Sequence, residues 1–120
     1  MVKNTTAVGH RAEALAAEYL MQKGYRLLAR NDRTRFAEID LIMLGHGEIL
    51  FVEVKYRKSD RYGGGSGAIT PDKLRRLRNA AEAWLAEHED YADLQPRIDV
   101  VTVTGSLSAP QVDRIENITA

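Results

Sequence analysis

The sequence predicts a single α/β domain in which a central mixed sheet is flanked by helices. Three observations lead there. Apolar residues recur at helical spacing near the start and again after residue 70. Two β-rich apolar runs surround a short glycine-containing connection, and two further apolar runs lie near the end. At 120 residues the chain has room for one core and little else, so residues 1–120 are read as one domain with its core over about 9–104. No internal repeat or long linker divides it.

The first helix is expected over residues 5–23. Thr5 or Thr6 can cap its start, Ala and Leu dominate its body, and Gly24 supplies the stop. Leu15, Ala16, Tyr19 and Leu20 should face the core. Glu13 falls on the same edge as Ala16, Ala17 and Leu20, which sets a carboxylate beside the buried stripe. Residues 25–29 read as a strand, followed by a polar, turn-like stretch over 31–35. Residues 38–44 and 49–56 read as a hairpin around Gly45-His46-Gly47-Glu48.

Residues 57–69 hold Gly63-Gly64-Gly65-Ser66-Gly67 among charges, the composition of a mobile loop. Thr70-Pro71-Asp72 then opens a second helix, with Thr at the cap and Pro at the first helical position. Leu74, Leu77, Ala81, Trp84 and Leu85 give that helix its apolar face; Trp84 and Phe51 read as core residues, not as base-stacking platforms. Residues 97–104 and 112–118 complete the order α, three β, α, two β. Asp99, alternating with apolar neighbours, reads as a structural partner for an arginine.

Composition narrows the chemistry. The chain has no cysteine, which removes disulfides, thiolate catalysis and thiolate zinc sites together. His10, His46 and His88 show no ligand spacing and read as surface residues, so a metal site would rest on oxygen ligands. No apolar run approaches the roughly 20 residues of a membrane span, and the opening Met-Val-Lys-Asn-Thr-Thr lacks the apolar stretch of a secretory signal. The expected location is the cytoplasm, with no membrane partner.

The formal net charge is zero, but the charges are unevenly spread. Lys23, Arg26, Arg30, Arg33 and Arg35 form one basic stretch. Lys55, Arg57, Lys58, Arg61, Lys73, Arg75, Arg76 and Arg78 form another, while acids gather from Glu82 to Asp93. Such a basic middle can present a positive face to a phosphate backbone; solvated surfaces are the bland alternative.

The hairpin carries the chemistry. Side chains on a strand alternate, so Glu38 and Asp40 share a face, as do Glu53 and Lys55. A connection centred on His46-Gly47 sets Leu44 opposite Ile49. Counting back sets Asp40 opposite Glu53 and Glu38 opposite Lys55, with directly opposed Cβ atoms roughly 4.5–5.5 Å apart. Opposed carboxylates repel unless a divalent cation lies between them, and magnesium commonly takes one or two carboxylates plus waters and phosphate oxygens. Lys55 beside them suits phosphoryl charge or an attacking water. A surface hairpin with a Glu38–Lys55 ion pair is the alternative.

The ordered set Glu13, Glu38-Ile39-Asp40 and Phe51-Val52-Glu53-Val54-Lys55 resembles the PD-(D/E)XK nuclease signature. More closely, the chain is similar to the YraN family of small bacterial proteins, related in fold to archaeal Holliday-junction resolvases. Gly9, Gly24-Tyr25, Arg30-Asn31, Ala37-Glu38-Ile39-Asp40-Leu41-Ile42, Lys73 and Arg97-Ile98-Asp99-Val100-Val101 carry that likeness. Ala12 and Ala37 stand where the family pattern usually has glycine.

The resemblance implies a restriction-endonuclease-like three-layer sandwich and a Mg²⁺- or Mn²⁺-dependent endonuclease. Its substrate would be DNA, with branched or otherwise structured forms included. Asp40, Glu53 and the Val54 carbonyl would hold the metal, Lys55 would orient water, and Glu13 would support the metal shell. Arg33, Arg35, Arg57, Lys58, Arg61, Lys73, Arg75 and Arg76 would bind nucleic acid. A binding module on the same fold that does not cut is the alternative, a protein-binding scaffold is a weaker one, and a homodimer stays open.

Overall fold

The structure is a computed structural model that describes residues 7–58 and 69–118. The expected cap at Thr5 or Thr6 and the glycine-rich loop, with Arg61, lie outside those residues. Helix α1 spans Ala7–Gln22. It ends because Gly24 adopts φ +100°, where the Gly24 N–H donates to the Met21 carbonyl and the Tyr25 N–H to the Leu20 carbonyl. That pair of bonds satisfies carbonyls the helix end would otherwise strand. An added Cβ on Gly24 would lie 2.8 Å from His46 Nε2, so the stop is also a close approach to the hairpin turn.

Strand β1 covers Arg26–Arg33, β2 Glu38–Gly45 and β3 Glu48–Arg57. The first strand corrects the expectation of a short 25–29 strand and a turn over 31–35. Asn31, Asp32 and Arg33 are strand residues, and Asp32 and Arg33 pair with Ile39 and Glu38. Helix α2 spans Pro71–Ala86, with the Thr70 hydroxyl accepting from the Lys73 N–H as expected of its cap. A 3-10 turn at Glu89–Tyr91 leads to β4, Gln95–Thr104, and then β5, Gln111–Ile115. The last strand is shorter than the expected 112–118, because the chain turns at Asn117 with φ 50°.

The sheet runs β1-β2-β3-β4-β5, antiparallel except between β3 and β4. A parallel pair cannot close with a tight turn, and the connection containing α2 makes the crossover. The β2–β3 turn has positive φ at both His46 and Gly47, the conformation that matches strand twist in two-residue hairpins. It sets Leu44 opposite Ile49, as expected.

Two apolar clusters make the layers. Ala16 and Leu20 of α1 pack with Leu41, Met43, Leu50, Val52 and Val101 on one face. Leu77, Ala80 and Trp84 of α2 pack with Ile42, Leu44, Ile49 and Phe51 on the other. The result is a three-layer α/β sandwich with a five-stranded mixed sheet between its helices. Phe51 and Trp84 are core residues, ring to edge at 5.8 Å. Asp99 is buried and accepts from Arg114 Nε at 2.8 Å, the arginine partnership expected of it. No described helix is long and apolar enough to cross a membrane.

Candidate active site

Strand β2 breaks its alternation beside Asp40. Ile39 and Ile42 both pack in the α2-side cluster although three residues apart, while Leu41 between them packs on the α1 side. A regular strand would send Ile39 and Ile42 to opposite faces. The β2–β3 pairs run from Gly45–Glu48 to Leu41–Val52, and at the next position a side chain takes over. Asp40 Oδ2 accepts the Val54 N–H at 2.8 Å. The Asp40 carboxylate is thus fixed against the backbone immediately after Glu53.

Both carboxylates are buried, at 1% exposure each. Burying an ionised carboxylate costs several kcal/mol unless cations or donors face it. Glu53 Oε2 has two cations nearby, Lys55 Nζ at 3.5 Å and Lys73 Nζ at 3.7 Å. Lys55 comes from the same strand two residues on, and Lys73 from the first turn of α2. The expectation for Lys73 was a phosphate contact; the structure sets it against a buried acid. The expected register is corrected as well: the ladder stops at Leu41–Val52, short of the expected oppositions of Asp40 with Glu53 and of Glu38 with Lys55, and Glu38 accepts from Asn31.

Glu13, on α1, is fully buried. It is not a solvated helix acid. Asn31 Nδ2 donates to Glu13 Oε2 at 3.0 Å and to Glu38 Oε2 at 2.9 Å, clamping two carboxylates with one amide. Asn31 does so at φ 50°, a left-handed conformation that non-glycine residues adopt seldom. Arg30 Nη2 lies 3.7 Å from Glu13 Oε1. Burial pushes the Glu13 carboxyl above its ordinary value, against the Asn31 hydrogen bond and the Arg30 charge, which pull it down.

The remaining basic residues fall in separate places. Arg75 and Arg76 are exposed on α2 and paired with Asp72. Arg33 Nη1 lies 3.6 Å from Glu38 Oε1, and the Arg35 guanidinium lies over the Phe36 ring. Arg57 ends β3, and Lys58 follows it, exposed. Asn31 and Asp32 were not expected at any site; a polar pair at the end of a strand looks like a turn. His88 was expected at the surface and is half-buried, stacked on Trp84 with ring centroids 3.7 Å apart.

Among the described residues no group of three His, Asp or Glu side chains is placed to hold a metal ion. The donors expected from the sequence are fewer: the buried carboxylates of Asp40 and Glu53, and the Val54 carbonyl. Hard oxygen donors of this number, completed by water, match what magnesium takes from proteins.

Fold and site together define a three-layer α/β domain with a buried acid and lysine cluster where β2 turns away from β3. Residues 12–103 match the uncharacterised protein family UPF0102, and the chain belongs to it. This is the family that the sequence motifs suggested under the name YraN. The chain is 44% identical to a UPF0102 protein of Mycolicibacterium vanbaalenii, over 92% of each chain. A UPF0102 protein of Methylococcus capsulatus is 41% identical over 91% of this chain and 87% of its own. One from Mesorhizobium japonicum is 50% identical over 79% and 74%.

Proposed function

We propose that this protein is a metal-dependent endonuclease of the PD-(D/E)XK, restriction-endonuclease-like class, hydrolysing phosphodiester bonds in structured DNA. One observation carries the reading: buried Asp40 is tied to the backbone beside buried Glu53, with two lysines facing the latter. Asp40, Glu53 and the Val54 carbonyl would hold Mg²⁺ or Mn²⁺. Such an ion, when bound, supplies Lewis-acid activation of the phosphate and lowers the pKa of water.

The chain's own residues do the rest. Val54 N–H orients Asp40 through a charge-assisted hydrogen bond. Lys55, a quarter exposed, lies beside buried Glu53 and is open to an incoming phosphate, where it would stabilise negative charge and orient water. Glu13 supports the site from α1, held there by Asn31.

Favouring a module that binds nucleic acid without cutting it, the two lysines already offset the charge of Glu53, and no three-acid cage is present among the described residues. Incubating the protein with labelled duplex, single-stranded, flapped and four-way DNA, with and without Mn²⁺, separates the readings. Metal-stimulated cleavage lost in Asp40→Asn supports the nuclease. No cleavage of any of these, or of RNA, would leave the binding module.

A further inference from the structure

Beside the acidic cluster lies a groove with no part in the chemistry so far. It has a volume of about 520 Å³ and is lined by Asp32, Arg33, Arg35, Trp84, Glu87 and His88 among others. That volume falls in the range of small-molecule sites, roughly 300–1,000 Å³. Its floor is organised. Trp84 Nε1 donates to Asp32 Oδ2 at 2.8 Å, and His88 stacks parallel on the indole, interplanar angle 7°. His88 Nδ1 is held to the Trp84 carbonyl at 2.7 Å, which fixes the imidazole plane. The indole is buried, so the imidazole offers the more accessible flat face.

The groove is also close to the candidate active site. Asp32 is the ladder partner of Ile39, and Ile39 precedes Asp40. Backbone spacing puts the Asp32 backbone, at the β1 side of the groove, within about 10 Å of the Asp40 backbone. Arg33 and Arg35 line its β1 end and Glu87 its α2 end; the Arg33 guanidinium is turned to Glu38, which leaves Arg35 as the cation on this side. A flat aromatic surface, an acceptor and a cation together suit a ligand with a planar ring, amino donors and a phosphate.

We propose that this groove is a subsite for one unpaired nucleotide flanking the bond to be cut, its base stacked on His88 and its phosphate on Arg35. The proposal rests on the nucleic-acid reading of the acidic site but not on cleavage. Duplex DNA keeps its bases stacked inside, so the subsite selects single-stranded or frayed positions.

Trp84 is the single tryptophan of the chain and therefore reports on the groove alone. The metal-free protein is titrated with a short single-stranded oligodeoxynucleotide and with the same length as duplex, reading Trp84 emission alongside anisotropy of labelled DNA. The single strand should change Trp84 emission on binding, and duplex should not. His88→Ala should weaken single-strand binding by about tenfold, the scale of one lost stacking contact. Arg35→Ala, at an exposed position, should weaken it without altering thermal stability, which covers the case that His88→Ala unsettles the core.

Single-strand binding that leaves Trp84 emission unchanged would overturn the subsite, as would equal affinity in both variants. So would equal binding of a polyglutamate peptide, which would make the groove a general anion surface. Absence of cleavage with these responses intact would remove the nuclease reading and leave the subsite standing.

Discussion

The Val54 amide donates to Asp40 Oδ2 at 2.8 Å, so the residue between the two site residues Glu53 and Lys55 fixes the orientation of a third. Asp40 therefore has a structural duty as well as the proposed chemical one. Asparagine keeps a carbonyl oxygen that can accept from Val54, whereas alanine removes the acceptor. Asp40→Asn should unfold close to the parent temperature, and Asp40→Ala should lose roughly 1–3 kcal/mol. Both should lose metal-stimulated cleavage, by a hundredfold or more on the order expected for a preorganised electrostatic group. Chemical denaturation measured beside the cleavage assay distinguishes the two effects. Equal stability of the two variants would mean that the Val54 bond contributes little.

Glu13 gives a pH dependence whose sign is fixed by burial. Its folded pKa is raised above the ordinary 4.5, chiefly because the charged form is desolvated. Between the unfolded and the folded value the native state binds the extra proton. The stability associated with Glu13 is thus fully present below about 4.5 and declines as pH rises through the folded value. Glu13→Gln keeps an oxygen for Asn31 and removes the charge. It should melt a few degrees higher than the parent at pH 7 in metal-free buffer and show a flatter pH profile above 4.5. A lower melting temperature at pH 7 would mean that the Arg30 and Asn31 interactions outweigh desolvation.

Asn31 offers a second test of the same cluster. Its φ of 50° is tolerated by glycine and penalised for alanine. Asn31→Gly loses the clamp on Glu13 and Glu38 only, while Asn31→Ala adds backbone strain of about 1–2 kcal/mol. Thermal unfolding should rank parent, glycine and alanine in that order. Alanine matching glycine would show that the strand relaxes around the change.

The sequence was most informative where local rules act alone. The register of β2 on β3 as far as Leu41–Val52 followed from a two-residue turn, and Gly24 from the need for a left-handed stop. The end of β1 was hidden because Asn31, Asp32 and Arg33 are polar and look like a turn. Their polarity is satisfied at long range, by Glu13, Glu38 and Trp84, which no window of sequence displays. The break in alternation at Asp40 was equally invisible, since it comes from Ile39 packing under α2. Lys73 was legible as a cation, but its approach to Glu53 depends on how α2 crosses the sheet.

That approach divides the basic residues of α2 into two kinds by their surroundings. Lys73 Nζ lies 3.7 Å from the buried Glu53, whereas Arg75 and Arg76 are exposed and tied only to the equally exposed Asp72. Exposed ion pairs of this sort contribute little and are easily exchanged for a phosphate. Removing Arg75 and Arg76 should therefore weaken nucleic-acid binding and reduce its salt dependence by about 0.9 per lost contact. Lys73→Ala should instead leave that slope nearly unchanged and depress the metal-stimulated rate. It withdraws a cation from beside Glu53, so it should also tighten the apparent affinity for Mn²⁺. Binding isotherms at several salt concentrations, with Mn²⁺ titrations of both variants, read the two effects separately. If Lys73→Ala reduces the salt slope as an arginine variant does and leaves Mn²⁺ affinity untouched, Lys73 is a phosphate contact and its position beside Glu53 has no part in catalysis.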